Sequence, residues 1–137
     1  MEELTLSKKE EIKHIVLDRI TVAKGWVSSG RAKYRIDHKI IHMRFCSIDK
    51  FDSPRYKFNI NPNTLSADYE VWICGNADAY YLIPIKIMRQ IYSDPESYID
   101  QRHPEIRIVS VHIDKNTVTY ARGGKTLNLT PYLRGTL

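Results

Sequence analysis

The chain has 137 residues, a hydrophobic fraction of 42% and a formal net charge of +5, from 21 Lys and Arg against 16 Asp and Glu. This length suits a single domain over residues 1–137, and the hydrophobic fraction excludes an intrinsically disordered chain. The opening residues are polar, and no apolar run approaches the length of a membrane span, about 20 residues. Two cysteines are too few for a disulfide framework. We therefore expect a cytoplasmic protein without a membrane partner.

Hydrophobic periodicity predicts a helix first and strands after it. Residues 7–10 fit a capping box, and the apolar residues that follow at helical spacing predict a helix over residues 8–24. Alternating apolar and polar residues then predict three strands, which we expect to pair as an antiparallel meander: residues 33–36, 40–45 and 55–61. Residues 37–39 fit a hairpin turn, and residues 47–54 are predicted as a loop.

The second half of the chain predicts further strands and a short helix. Residues 69–74 are nearly all apolar, which is typical of a strand covered on both faces, and residues 80–84 predict the next strand. Residues 85–92 predict a helix, and residues 93–96 predict the start of another. Residues 106–113 and 117–121 predict a final hairpin, and the tail from residue 123 is expected to be irregular. The predicted fold class is α/β in the α+β sense, with a central mixed sheet that begins with the meander.

The positive charge is concentrated on the three predicted meander strands. Residues 31–57 contain eight basic and three acidic residues, whereas the rest of the chain has 13 of each. Alternation places several of the bases on one face, where a basic stripe would bind a phosphate backbone by releasing condensed counterions. The alternative is a solvated face that serves solubility. The predicted nucleic-acid-binding residues are Arg31, Lys33, Arg35, Arg55 and Lys57.

Three segments resemble the second half of small PD-(D/E)XK endonucleases, in the homing-endonuclease-like and resolvase-like branch. They are Tyr-Lys-Phe-Asn-Ile at 56–60, Ala-Asp-Tyr-Glu-Val-Trp-Ile-Cys at 67–74 and Tyr-Tyr-Leu-Ile-Pro-Ile at 80–85. Gly-Trp-Val at 25–27 lies where that family often has Gly-aromatic-x-Val. The resemblance covers residues 8–92 and implies a restriction-endonuclease-like core, DNA rather than RNA as the partner, and a homo-oligomer, because palindrome-cutting relatives often work as dimers or tetramers.

The resemblance also implies catalytic positions. Its chemistry needs an Asp on one strand and Glu or Gln, x, Lys on the next, with Mg²⁺ as the cofactor. His42 stands at the Glu or Gln position and Arg44 at the Lys position, while Arg35 falls near the Asp position. Neither Arg nor Lys coordinates Mg²⁺, and His is a poor ligand for it. Asp37 is therefore the predicted metal ligand, unless its role is only turn chemistry, and Glu10 or Glu11 is a second carboxylate to consider.

Three hypotheses follow, with Asp37, His42 and Arg44 as the predicted catalytic residues of the first. The chain is a DNA-binding, Mg²⁺-dependent endodeoxyribonuclease with an altered site, or it is an inactive relative that binds nucleic acid or a protein. The third hypothesis is a protein–protein module whose charge serves only solubility. Another register would put Arg55 and Lys57 on the Glu-x-Lys strand, again without the acid. The Arg-Gly-Gly-Lys sequence at 122–125 is read as a hairpin end rather than a phosphate cradle.

Overall fold

The computed structural model describes residues 6–22, 24–46 and 54–137. Within those ranges the chain is mixed α+β, as predicted, with the helices α1 (Leu6–Thr21) and α2 (Ile85–Tyr92). Nine strands accompany them: β1 (Val27–Gly30), β2 (Lys33–Ile36), β3 (Lys39–Cys46), β4 (Arg55–Ile60), β5 (Tyr69–Cys74), β6 (Tyr80–Pro84), β7 (Arg107–His112), β8 (Thr117–Ala121) and β9 (Lys125–Asn128). Neither described helix has the length and apolar character needed to cross a membrane.

The first sheet has five strands in the order β1-β2-β3-β5-β6. Strands β1, β2 and β3 form an antiparallel meander, β5 lies parallel to β3, and β6 is antiparallel to β5. The prediction of a mixed sheet that begins with a three-strand meander is confirmed. Its hairpin turn at Asp37 and His38 is confirmed as well, since Ile36 pairs with Lys39.

The strand predicted to complete the meander belongs to a different sheet. The second sheet has the order β4-β7-β8-β9, and β4 pairs with β7 from Arg55 opposite His112 to Ile60 opposite Arg107. The alternation within β4 was predicted correctly, because Tyr56, Phe58 and Ile60 are buried. The pairing was wrong because alternation defines the two faces of a strand and not its neighbour.

Other sequence predictions also need correction. Helix α1 ends at Thr21 rather than at residue 24. No helix follows Ser93, where the Asp94 carboxylate accepts from the Glu96 amide and Ser97 bridges to Ala121. The tail is regular after Gly123 and Gly124, since β9 pairs with β8, and the predicted hairpin end there is confirmed. The predicted loop at 47–54 lies almost wholly outside the described residues.

The two faces of the first sheet pack against different partners. Helix α1 covers one face through Ile12, Val16, Leu17 and Ile20. The second sheet and α2 cover the other face where β5 and β6 run, and the rings of Phe58 and Trp72 stack there 5.3 Å apart. On this second face β2 and β3 are less covered, because Arg35 is exposed whereas Trp72 is buried. A partly open surface therefore lies beside a closed core.

Candidate functional site

Four nitrogen-bearing side chains share the open part of the second sheet face. Tyr34 and Ile36 are buried toward α1, so Lys33 and Arg35 point to the opposite face of β2. On β3 the buried residues Ile41 and Met43 likewise place His42 and Arg44 on that face. Lys33 lies opposite His42 in the ladder, so these two side chains are neighbours. We call this surface the basic ledge: Lys33, Arg35, His42 and Arg44.

A buried carboxylate lies beside the basic ledge, on the same sheet face and on the neighbouring strand β5. Strand β5 runs parallel to β3 and places Glu70 opposite His42, with the Glu70 side chain 0% exposed. The Arg44 Nε atom donates a hydrogen bond to Glu70 Oε1. The His42 Nδ1 atom lies 3.3 Å from Glu70 Oε2. Because a buried charge is costly unless it is paired, the contact with Arg44 offsets part of the cost of burying the Glu70 carboxylate.

The sequence analysis did not identify Glu70 as a site residue. The residue was treated as one position in a nearly apolar strand, although it is the only charged residue in Tyr-Glu-Val-Trp-Ile-Cys. An isolated carboxylate in a strand covered on both faces must find a partner inside the protein. That isolated charge was the available signal, and the parallel pairing with β3 identifies Arg44 and His42 as the partners.

Tyr92 of α2 closes the inner side of this cluster. Burial raises the pKa of its phenol far above the ordinary value, the nearby Arg44 guanidinium lowers it and the Glu70 carboxylate raises it. Within the described residues Tyr92 Oη, His42 Nδ1 and Glu70 Oε2 are buried without an aligned hydrogen-bond partner. The 3.3 Å approach of His42 to Glu70 is close enough for a hydrogen bond but poorly aligned, a state that catalytic hydrogen bonds often show before a ligand binds.

The structure does not bring Asp37 to His42 and Arg44. Asp37 lies in the β2–β3 turn with a positive φ of 52°, and its Oδ2 atom is 3.8 Å from Lys24 Nζ. It borders an open groove of about 270 Å³. The groove is lined by Lys24, Gly25, Trp26, Val27, Arg35 and Asp37. Asp37 thus supplies turn geometry and an exposed ion pair at one end of the ledge.

The donor set around the ledge does not fit Mg²⁺. Across the described residues no three or more His, Cys, Asp or Glu side chains are grouped to hold a metal ion. Glu70 is already paired with a guanidinium, which repels a dication. Glu10 and Glu11 pair with Lys13 and Lys8 on α1, on the other side of the sheet. A hard cation prefers several oxygen ligands, and this site offers one engaged carboxylate and an imidazole.

The predicted nucleic-acid-binding residues are divided between two surfaces. Arg31 is exposed in the β1–β2 turn, next to Lys33 and Arg35 on the first sheet. Arg55 and Lys57 are exposed on the outer face of the second sheet, because their neighbours in β4 point into the core. The prediction of a single basic stripe is therefore wrong, because the core of the molecule separates Arg55 and Lys57 from the basic residues of the first sheet.

Comparisons with known proteins identify no relative of this chain. No family model, no curated protein and no solved structure matches it.

Proposed function

We propose that this chain binds the phosphate backbone of nucleic acid along the basic ledge. The observation that carries the proposal is the partly open face of β2 and β3, where Arg35 is exposed and Lys33 is half-buried beside it. Arg31 adds a third cation, which is exposed at the neighbouring turn. Clustered cations on an open β surface bind phosphates and gain free energy from counterion release.

Binding, rather than Mg²⁺-dependent cleavage of DNA, is what the geometry favours. The positions where the endonuclease resemblance needs metal-binding carboxylates are occupied by His42 and, near the Asp position, Arg35. The nearby Glu70 carboxylate is paired with Arg44, and Asp37 is turned toward Lys24. Phosphate contacts carry no sequence information, so the proposal covers any polymer with this backbone, and the resemblance favours DNA. A cytoplasmic location belongs to the proposal, in agreement with Cys46 and Cys74, which are not joined in a disulfide.

Charge reversal on the basic ledge tests this proposal. The variant Lys33→Glu with Arg35→Glu is expected to weaken binding of a duplex oligonucleotide and to reduce the slope of log K against log salt by about 0.9 for each phosphate that the protein no longer neutralises. Fluorescence anisotropy titrations at several salt concentrations measure both quantities. The physical reason is that each reversed cation releases fewer counterions and repels the backbone.

The chain provides a matched control on its second sheet. Arg55→Glu with Lys57→Glu makes the same change of charge at the same spacing, but on the outer face of β4. This control is expected to retain most of the affinity and the salt slope, with circular dichroism confirming that both variants fold. Equal reductions in the two variants would show that only net charge matters, and an absence of salt-dependent binding in the unmodified chain would direct the search to a protein partner.

A further inference from the structure

We infer that the basic ledge cleaves single-stranded RNA without a metal ion, with His42 as the general base and Arg44 as the phosphate-stabilising cation. The inference rests on the proposed function, because the strand must first bind along the ledge. It goes beyond that function by assigning a reaction, a substrate class and the reacting residues.

The pairing of His42 with Glu70 resembles a base held by an orienting carboxylate. The Nδ1 atom of His42 is buried 3.3 Å from Glu70 Oε2. The side chain is nevertheless 14% exposed, so its accessible part lies on the side of the ring away from Glu70. A proton on Nδ1, on the side of the ring that faces the carboxylate, leaves the Nε2 lone pair to accept a proton from a bound strand.

Two cations are neighbours of His42 on the same sheet face. Lys33 is opposite His42 in the ladder, and Arg44 is two residues further along the same face of β3. Arg44 uses Nε for Glu70 and one terminal nitrogen for a 3.4 Å contact with Thr64 Oγ1, and its side chain is 17% exposed. A guanidinium has five N–H donors, so donors remain for a phosphate oxygen.

This arrangement matches cleavage by the RNA 2′-hydroxyl. His42 Nε2 accepts the 2′-hydroxyl proton while the 2′-oxygen forms a bond to phosphorus. The bond from phosphorus to the 5′-oxygen breaks, and that oxygen leaves with a proton from water. The products are a 2′,3′-cyclic phosphate and a 5′-hydroxyl, and the imidazolium then returns its proton to solvent. Arg44 stabilises the charge that grows on the phosphoryl oxygens, which is the task of a fixed cation in such a transition state.

The chemistry selects RNA over DNA and single strands over duplexes. The nucleophile is part of the substrate, so no metal is needed to generate hydroxide, and DNA lacks the group that attacks. The attacking and leaving oxygens must lie in line through phosphorus, and a single strand can adopt the backbone conformation that this geometry requires. Unpaired RNA segments are also the ones that proteins distort and hold most readily. The poor fit of the ledge to Mg²⁺, which is a defect for a DNA nuclease, is no obstacle to this reaction.

The test uses the whole chain with a labelled single-stranded RNA oligonucleotide in the presence of chelator. Matched oligonucleotides of DNA and of 2′-O-methyl RNA measure binding without cleavage. The unmodified chain and His42→Ala are purified in parallel, so that a contaminating nuclease would appear in both. We expect 2′,3′-cyclic phosphate ends from RNA alone, and a decrease in rate of about 100-fold or more in His42→Ala, the scale of general-base catalysis.

The outcomes separate this inference from the proposed function. Salt-dependent binding of all three oligonucleotides with no RNA cleavage in chelator overturns the inference and leaves the binding proposal intact. RNA cleavage that is equal in the unmodified chain and His42→Ala also overturns the inference. If none of the single strands binds, the inference fails, and the proposed function fails with it only if the duplex oligonucleotide does not bind either.

Glu70 acts as a positioning residue, because it contacts His42 and Arg44 rather than the strand. Glu70→Gln removes the charge that orients the imidazole. The expected result is a lower kcat on RNA with an unchanged Kd for 2′-O-methyl RNA. A purely structural role would instead weaken binding together with the rate. Glu70→Asp, which retains the charge on a shorter side chain, is expected to recover part of the kcat.

Discussion

Among individual residues, Glu70 determines most of what the basic ledge can do. Its side chain is fully buried, yet its carboxylate contacts the polar side chains of His42 and Arg44 on the neighbouring strand. A buried ion pair of this kind is a poor source of stability but a strict constraint on geometry. Arg44 and His42 are therefore held in position before any ligand arrives, which a binding or catalytic surface requires.

The pairing of Arg44 with Glu70 is tested by breaking it from one side. Arg44→Met leaves the buried carboxylate without its cation, and we expect a decrease of about 3–5 kcal/mol in the free energy of unfolding. Adding Glu70→Leu to that variant removes the stranded charge and is expected to recover much of this decrease. Urea unfolding of the two single variants and the double variant gives the coupling energy directly.

An exposed ion pair in the same chain provides the comparison. Arg19 Nη1 lies 2.7 Å from Asp78 Oδ1, with side chains that are 45% and 76% exposed. Arg19→Met is expected to cost no more than about 1 kcal/mol, because water replaces the missing partner. If Arg19→Met and Arg44→Met proved equally mild, the burial of Glu70 would not have the energetic consequence assigned to it.

At the level of elements, the sequence predicted strand identity well and strand pairing poorly. The alternation in β2, β3 and β4 gave the correct buried faces, since period two follows from backbone geometry alone. The assignment of β4 to the meander failed because its partner β7 lies some 50 residues further along the chain, and periodicity contains no information about distant partners. For the same reason, the sequence analysis wrongly grouped Arg55 and Lys57 with the basic residues of the first sheet.

Two short segments show how tertiary contacts override local signals. Ser-Asp-Pro-Glu at 93–96 is typical of a helix start, yet the Asp94 carboxylate accepts from the Glu96 amide and from Lys125 Nζ, which fixes a turn. Strand β9 has only one apolar residue, Leu127, and so lacks an alternation that could be recognised. Its backbone hydrogen bonds to β8 hold it as a strand, although its own sequence does not predict one.

The turn between β5 and β6 depends on a glycine that packs closely. Gly75 has a φ of +84°, and a Cβ atom built on it would lie 3.0 Å from the Tyr56 hydroxyl. Gly123 has a similar φ of +81° with nothing within 4 Å of that position. Gly123→Ala therefore tests backbone strain alone, at about 1–2 kcal/mol. Gly75→Ala is expected to lower the stability measured by thermal unfolding further than Gly123→Ala does. Equal decreases would show that Tyr56 in the second sheet moves aside at little energetic cost.

At the scale of the whole molecule, the layered packing determines where a site can form. The second sheet and α2 cover β5 and β6 but leave the same face of β2 and β3 partly open. Arg44, His42 and Glu70 lie at the boundary, where a charged group can be buried on one side and reach solvent on the other. His42 and Arg44 were identified from a resemblance, whereas Glu70 emerged only once β5 was placed beside β3.

The last residues of the chain connect this layered structure across the edge of the first sheet. Leu133 bridges to Tyr81, the Arg134 amide donates to Tyr80 O at 2.9 Å, and the Leu137 amide donates to Ile20 O at 2.8 Å. Tyr80 Oη also donates to Gly135 O at 2.9 Å. These contacts join β6 to the end of α1 and cover a strand edge that would otherwise present unpaired backbone groups to other molecules.

Deletion of residues 133–137 is therefore expected to lower stability and to cause self-association. The three hydrogen bonds contribute about 0.5–1.5 kcal/mol each, so the unfolding free energy should fall by about 2 kcal/mol or more. Thermal unfolding and size-exclusion chromatography over a range of protein concentrations measure the two effects. Tyr80→Phe removes only the hydroxyl bond to Gly135 and should remain monodisperse with a smaller decrease in stability. A deleted chain that kept full stability and did not associate would mean that β6 needs no cover, and that α1 and the second sheet alone hold the first sheet in place.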